Sequence, residues 1–189
     1  INGVAWDAVE LPSQFLENWC WQPEALSFIS GHFETGEALP SELLEQMLAA
    51  KNYQSAMQMV RQLELSMFDF TLHQQNNDEK SVQQILDEVR QEVAVVIPPT
   101  FNKFQNSFGH IFAGGYAAGY YSYKWAEVLS SDAFGRFEEE GIFNKNTGRD
   151  FLNNILEMGG SKEPMELFIA FRGREPEVDA LLRHSGIVA

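Results

Sequence analysis

Hydrophobic positions recur along this chain at steps of three and four. Tyr53, Ala56, Met57, Val60, Leu63 and Met67 form one such series, and Val82, Ile85, Leu86, Val89, Val93 and Val96 form another. That period collects the apolar side chains of each segment on one face and predicts two amphipathic α-helices. Between them the stretch Gln74 to Lys80 is polar, with Asn76, Asn77 and Asp78, and Ser81 stands where an N-cap is needed. A helix pair joined by a turn is the expected arrangement. A shorter helix is predicted over about Pro40 to Ala50, with Leu43, Leu44, Met47 and Leu48 on its apolar face, and Pro98 and Pro99 end the pair.

Further on, Thr147 followed by Asp150 suggests a capping box, and Gly159 with Gly160 stops a helix running from about Arg149 to Glu157. Pro164 and Pro176 each sit where a first helical turn begins. Only Ile142 to Lys145 leaves room for a short strand, and no internal repeat is present. The expected fold is therefore all-α, a multi-helix single unit over residues 1–189 with at most short strands.

Residues Trp6 to Trp21 carry Trp6, Val9, Leu11, Phe15, Leu16, Trp19 and Cys20, a broader apolar surface than a solvent-facing helix bears. One helix buried on several sides is expected there, kinked by Pro12 in its interior. Asp7, Glu10 and Glu17 fall on roughly one side of it. A carboxylate stripe among aromatic residues needs a positive partner, and no Lys or Arg precedes Lys51. A metal ion, a distant Arg and a solvated edge all satisfy that need.

Composition narrows the possibilities. The chain has 13 Lys and Arg against 27 Asp and Glu, which sets it against binding a phosphate backbone, so nucleic acid is not an expected partner. No apolar run approaches the roughly 18 to 20 residues that span a bilayer, so no membrane association is expected. With a single cysteine, Cys20, no internal disulfide is available, and a cytoplasmic location is the expectation. The chain begins with Ile1 instead of Met, which suggests a fragment of a longer protein.

The most unusual segment runs from Phe108 to Glu127. Gly109, Gly114, Gly115 and Gly119 disfavour helix, so residues 110–116 read as a mobile loop with a helix resuming near Ala117. Tyr116, Tyr120 and Tyr123 stand at steps of four and three, so wherever the helix has formed they share a face that Glu127 continues. Phenols there can serve as uncharged hydrogen-bond donors to an oxyanion, or simply as amphipathic core residues.

The segments Trp6 to Trp19 and Phe108 to Glu127 together resemble the thimet-type zinc oligopeptidases, peptidase family M3, on their bacterial oligopeptidase A branch more than on their dipeptidyl carboxypeptidase branch. The similarity extends over essentially the whole chain, through Phe134 to Phe143, Gly159 to Ser161, Phe171 to Pro176 and Leu181 to Ile187. It implies a zincin-like catalytic domain of which this chain is the C-terminal part. It implies that Glu10, just before Leu-Pro-Ser-Gln, is the third zinc ligand, with Asp7 and Glu17 as candidates for supporting it. It implies further that Tyr123 bonds the scissile carbonyl or its oxyanion, that His110 and Tyr116 position substrate, and that Tyr120 adds a wall. Lys124 is given no role. The family's other zinc ligands and its general base come from His-Glu-x-x-His, which occurs nowhere here: His32 is followed by Phe33, and His73, His110 and His184 lack an adjacent Glu. The motif is expected upstream, so the intact protein is expected to be a Zn2+ metalloendopeptidase for short unstructured peptides, and this chain alone to be inactive. Its expected partners are peptide substrates and the N-terminal portion of the same protein, with self-association of the fragment through its apolar face. The competing expectation is a non-catalytic helical module that binds peptides or a partner chain.

Overall fold

In the computed structural model, which describes residues 3–74 and 80–188, the helical periods of the sequence become ten α-helices. They are α1 (Leu11–Glu17), α2 (Pro23–Ile29), α3 (Ser41–Lys51), α4 (Ser55–Gln74), α5 (Val82–Val93), α6 (Gly109–Phe112), α7 (Ser122–Glu140), α8 (Lys145–Phe151), α9 (Pro164–Arg172) and α10 (Asp179–His184). Among the described residues there is no strand, so the fold is all-α and the strand allowed for at Ile142 to Lys145 is a turn leading into α8. Residues 75–79, which hold most of the polar stretch before Ser81, lie outside the described residues. No described helix is long and apolar enough to cross a membrane. The chain divides into two compact units, one of residues 1–55 and 126–189, the other of residues 56–125.

The first unit is organised by aromatic rings. Phe15 of α1 stacks on Phe151 at 3.9 Å, Trp19 meets Phe134 and Phe137 edge-on at 4.9 and 5.1 Å, and Phe151 meets Phe171 at 5.2 Å. Trp19 is also tied by its indole N–H to the carbonyl of Ile142 at 3.0 Å. Rings of this size contribute roughly 1.5–3 kcal/mol each on burial. The segment Trp6 to Trp21 that delivers Phe15 and Trp19 is not the single buried helix expected. It consists of a 3-10 turn at Trp6–Ala8, then α1, then a second 3-10 turn at Asn18–Trp21, with Trp6 and Leu16 half exposed or more. Pro12 lies in the first turn of α1, where no intrahelical hydrogen bond is lost, so it starts the helix and does not kink an interior.

Around α7 the same unit is fastened by ion pairs. Asp132, fully buried, accepts both terminal nitrogens of Arg174 at 2.6 Å, the Nε of Arg172 at 3.1 Å and the Glu177 N–H at 2.8 Å. Burial by itself would raise the Asp132 carboxyl; these donors outweigh it and hold the group below the usual carboxylate range. Gly173, in the left-handed region at φ 83°, ends α9 and lets the two flanking arginines turn back to one carboxylate.

Glu138 is held in a similar way. Burial opposes its ionisation, but His184 at 3.0 Å and Arg183 at 2.5 Å outweigh that and lower its pKa from 4.5 to about 2. Because the folded value lies below the unfolded one, the stabilisation is complete above pH 4.5 and is lost as pH falls towards 2. The group is partly exposed, so the contribution is screened to about 1 kcal/mol. Glu138→Gln therefore flattens the dependence of stability on pH across that acid window, as read by thermal unfolding at a series of pH values.

Helix boundaries in this unit differ from expectation in instructive ways. The helix foreseen from Arg149 starts at Lys145, because Asn144 caps it by accepting the N–H groups of Asn146 and Thr147. Thr147 is buried and donates its hydroxyl to Glu140, so it forms no capping box with Asp150. A π-helical turn at Leu152–Leu156 follows, before Gly159 at φ 51°. Pro164 occupies the first turn of α9 as expected, whereas Pro176 precedes α10, which begins only at Asp179. Helix α3 has the foreseen extent, yet its Leu43 is half exposed and none of its residues is buried.

The second unit is built on α4 and α5. Ser81 caps α5 in a reciprocal capping box with Gln84, and Ile85, Leu86 and Val89 are buried against Leu65 and Phe68 of α4. Phe108, Ile111 and Tyr120 complete this core. The foreseen apolar face of α4 is only partly right. Tyr53 precedes the helix and is exposed, and Leu63 is 43% exposed, while Glu64 and Asp69 are buried. Glu64 meets Arg90, itself buried, at 3.0 Å and also pairs with Arg61. A carboxylate buried at 2% exposure persists because both guanidinium groups satisfy it.

Candidate functional site

The glycine- and tyrosine-rich segment of the second unit gathers the side chains singled out from the sequence. After the four-residue α6, Gly114 approaches the His110 backbone so closely that a Cβ would stand 2.9 Å from His110 Cα and O. Gly115 then takes φ 85°, which reverses the chain and lets the Tyr116 N–H bond the His110 carbonyl at 3.0 Å. The helix resumes at Ser122, five positions later than foreseen from Ala117, because residues 117–121 form turns. Tyr116 and Tyr120 are therefore loop residues, and only Tyr123 lies in α7.

The tyrosines nonetheless form one cluster. Tyr116 stacks on Tyr123 at 4.8 Å, Tyr120 stands edge-on to Tyr123 at 5.4 Å, and the His110 ring lies 6.2, 5.7 and 6.3 Å from Tyr116, Tyr120 and Tyr123. Phe108 backs Tyr120 at 4.9 Å. Tyr120 is buried and donates its hydroxyl to Gln62 Oε1 at 3.1 Å. Burial pushes its phenol up, Tyr123 adds to the shift and Arg61 opposes it, so the group keeps its proton. Tyr123 is less enclosed than Tyr120 and packs against the core from its edge.

One residue that the sequence reading passed over holds this loop. Asp69 of α4 is fully buried; its Oδ1 accepts the Ala118 N–H and its Oδ2 the Tyr120 N–H, each at 2.9 Å. His73 Nδ1 lies 2.9 Å from both Asp69 Oδ1 and the Asp69 carbonyl, two acceptors, so the ring proton sits on Nδ1. Ala118 has φ 55°, a left-handed conformation that costs a residue with a Cβ about 1 kcal/mol. The Asp69 carboxylate offsets that cost. Its only sequence signal was an acidic residue on the buried side of α4, and the periodic reading had counted apolar positions alone.

Glu10 sits at the N-cap of α1 in the first unit, half-buried. Ser13, one position after Pro12, donates its hydroxyl to Glu10 Oε2 and to the Glu10 carbonyl, both at 3.0 Å. One carboxylate oxygen is thereby oriented, as the supporting hydrogen bonds of a metal-binding carboxylate do. Asp7 lies in the preceding 3-10 turn, and Glu17, which ends α1, is exposed. Among the described residues no three His, Cys, Asp or Glu side chains come together as a complete metal site.

This all-α chain has counterparts among known proteins. The pattern of peptidase family M3 matches residues 1–187, and the chain belongs to that family. It is 65% identical to oligopeptidase A of Salmonella typhimurium and 64% identical to oligopeptidase A of Escherichia coli, over 99% of this chain in each case. Identity to the dipeptidyl carboxypeptidase of Escherichia coli is 34% over 96% of the chain, in keeping with the expected branch. The chain spans 28% of the length of the two oligopeptidases A.

Proposed function

We propose that this chain is the C-terminal part of a cytoplasmic zinc metalloendopeptidase that hydrolyses short, unstructured peptides. The observation that carries the reading is the cluster of His110, Tyr116, Tyr120 and Tyr123 within one unit of a chain matched to family M3 almost end to end. In this reading Glu10 is one zinc ligand, its oxygen oriented by Ser13, and the remaining ligands and the general base belong to a preceding portion of the same protein. The donor chemistry fits, since a catalytic zinc takes three protein ligands, one of them commonly a carboxylate. When bound, zinc supplies Lewis-acid polarisation of the scissile carbonyl and lowers the pKa of a water.

The residues of this chain supply binding and charge stabilisation. Tyr123 donates its phenolic proton as a hydrogen bond to the carbonyl oxygen as that oxygen gains charge, an interaction stronger in the transition state than in the ground state. Tyr116, stacked on Tyr123, and His110, beside both, contact the substrate backbone. Tyr120, whose hydroxyl is engaged by Gln62, acts as the wall behind them.

The test uses the full-length protein. It is expected to cleave a quenched fluorescent peptide of about ten residues and to lose that activity to a chelator and regain it with Zn2+, while residues 1–189 alone show none. Peptide binding without cleavage by the zinc-loaded full-length protein would overturn the enzyme reading in favour of a helical binding module.

A further inference from the structure

We propose that Asp69 is a positioning residue of the peptidase site, a buried carboxylate clamp that sets the loop carrying Tyr116 and Tyr120 and thereby the orientation of Tyr123. The inference rests on the proposed role of Tyr123. Asp69 lies five residues after Glu64 along α4 but serves a different partner: Glu64 closes an ion pair with Arg90 and Arg61, whereas Asp69 faces backbone N–H groups.

Both carboxylate oxygens are engaged by the loop, Oδ1 by Ala118 and Oδ2 by Tyr120. Those amides bracket Gly119 and flank the left-handed Ala118. A carboxylate is acceptor-only, so it alone among isosteric side chains satisfies two N–H donors on two oxygens. Through this clamp the Tyr120 ring is fixed against Phe108 on one side and Tyr123 on the other. Tyr123 also stacks on Tyr116, which begins the same loop, so its ring is held from both flanks by the segment Asp69 anchors. His73 donates to Oδ1 and keeps the carboxylate from rotating away.

Asp69→Asn preserves shape but turns an amide NH2 towards one of the two backbone N–H groups. In the full-length enzyme this substitution is expected to lower kcat about 10- to 100-fold, with KM changed less than about 3-fold, the scale on which small misplacements act. Hydrogen exchange is expected to accelerate in peptides covering residues 116–121 and not elsewhere in the second unit. The loss should not multiply with that of Tyr123→Phe, because both act through one phenol. Ala118→Gly, which removes the strain the clamp opposes, should restore part of the activity of the Asp69→Asn enzyme.

Unchanged exchange at 116–121 in the Asp69→Asn protein overturns the clamp. Accelerated exchange with losses that multiply across the double mutant also overturns the proposal, leaving Asp69 a purely structural residue while the role of Tyr123 stands. A wild-type kcat for Tyr123→Phe overturns the parent reading, and the catalytic consequence of the clamp falls with it. If the Asp69→Asn protein does not accumulate folded, His73→Leu removes one partly exposed donor to the same oxygen and is expected to give the same pattern at smaller amplitude; wild-type exchange and kcat there overturn the proposal.

Discussion

On the proposed reading, replacing Tyr123 with Phe in the full-length protein is expected to lower kcat by about 100-fold while leaving KM within about 3-fold, the signature of a donor used in the transition state. The ring itself is retained, so the stack on Tyr116 at 4.8 Å and the edge contact to Tyr120 at 5.4 Å remain, and the substitution removes little besides the hydroxyl. Steady-state kinetics on one peptide decide the matter. An unchanged kcat removes Tyr123 from the mechanism, and a rise in KM alone makes it a binding residue. Tyr120→Phe provides the contrast: its hydroxyl is donated to Gln62, so its removal is expected to affect stability by about 1 kcal/mol and kcat much less.

On the proposed zinc reading, Glu10→Gln is expected to have the larger effect. Loss of a hydrogen bond that merely supports a metal ligand costs about 10- to 100-fold in metal affinity, so loss of the ligand charge itself exceeds that range. The full-length Glu10→Gln protein is expected to be isolated with little zinc and without measurable peptidase activity, and to regain only part of it at high zinc concentration. Metal content by atomic spectroscopy is the direct readout. The fold should survive, because Glu10 is only half-buried and α1 is seated by Leu11 and Phe15. Stoichiometric zinc in the variant would show that Glu10 is not a ligand.

Much of the local structure was legible because it is set by nearest neighbours along the chain. Ser81 was placed correctly as a cap, since the capping box it forms with Gln84 uses residues three apart. Pro164 was placed correctly because proline in a first turn loses nothing by lacking an N–H. Thr147 was misplaced for the complementary reason: Asn144 competed for the cap and won, and the Thr147 hydroxyl turned to Glu140, a partner one helix earlier. Along Trp6 to Trp21 the apolar count suggested one continuous helix, whereas the pair of 3-10 turns flanking α1 brings Phe15 and Trp19 to the rings of Phe134, Phe137 and Phe151.

For the candidate site the division is similar. Tyr116, Tyr120 and Tyr123 are read from their spacing and His110 from the family resemblance, and the four rings do cluster, although by a different route from the helical alignment foreseen for the tyrosines. Helical spacing was expected to align them; instead the close approach at Gly114, the reversal at Gly115 and the left-handed Ala118 fold a loop back on the start of α7.

By itself the sequence determined the all-α class and most helix positions, because periodicity and caps are properties of neighbouring residues, and its resemblance to family M3 supplied the candidate side chains. Only the tertiary structure decided which acidic residues are buried and what they hold. Beside the nearby His73 and Arg61 that also meet Asp69 and Glu64, the carboxylates of Asp69, Asp132 and Glu64 are held by partners 49 to 51, 40 to 45 and 26 positions away, and local spacing does not reveal those distant donors. The free energy of a buried charge depends on donors that the fold alone brings within reach.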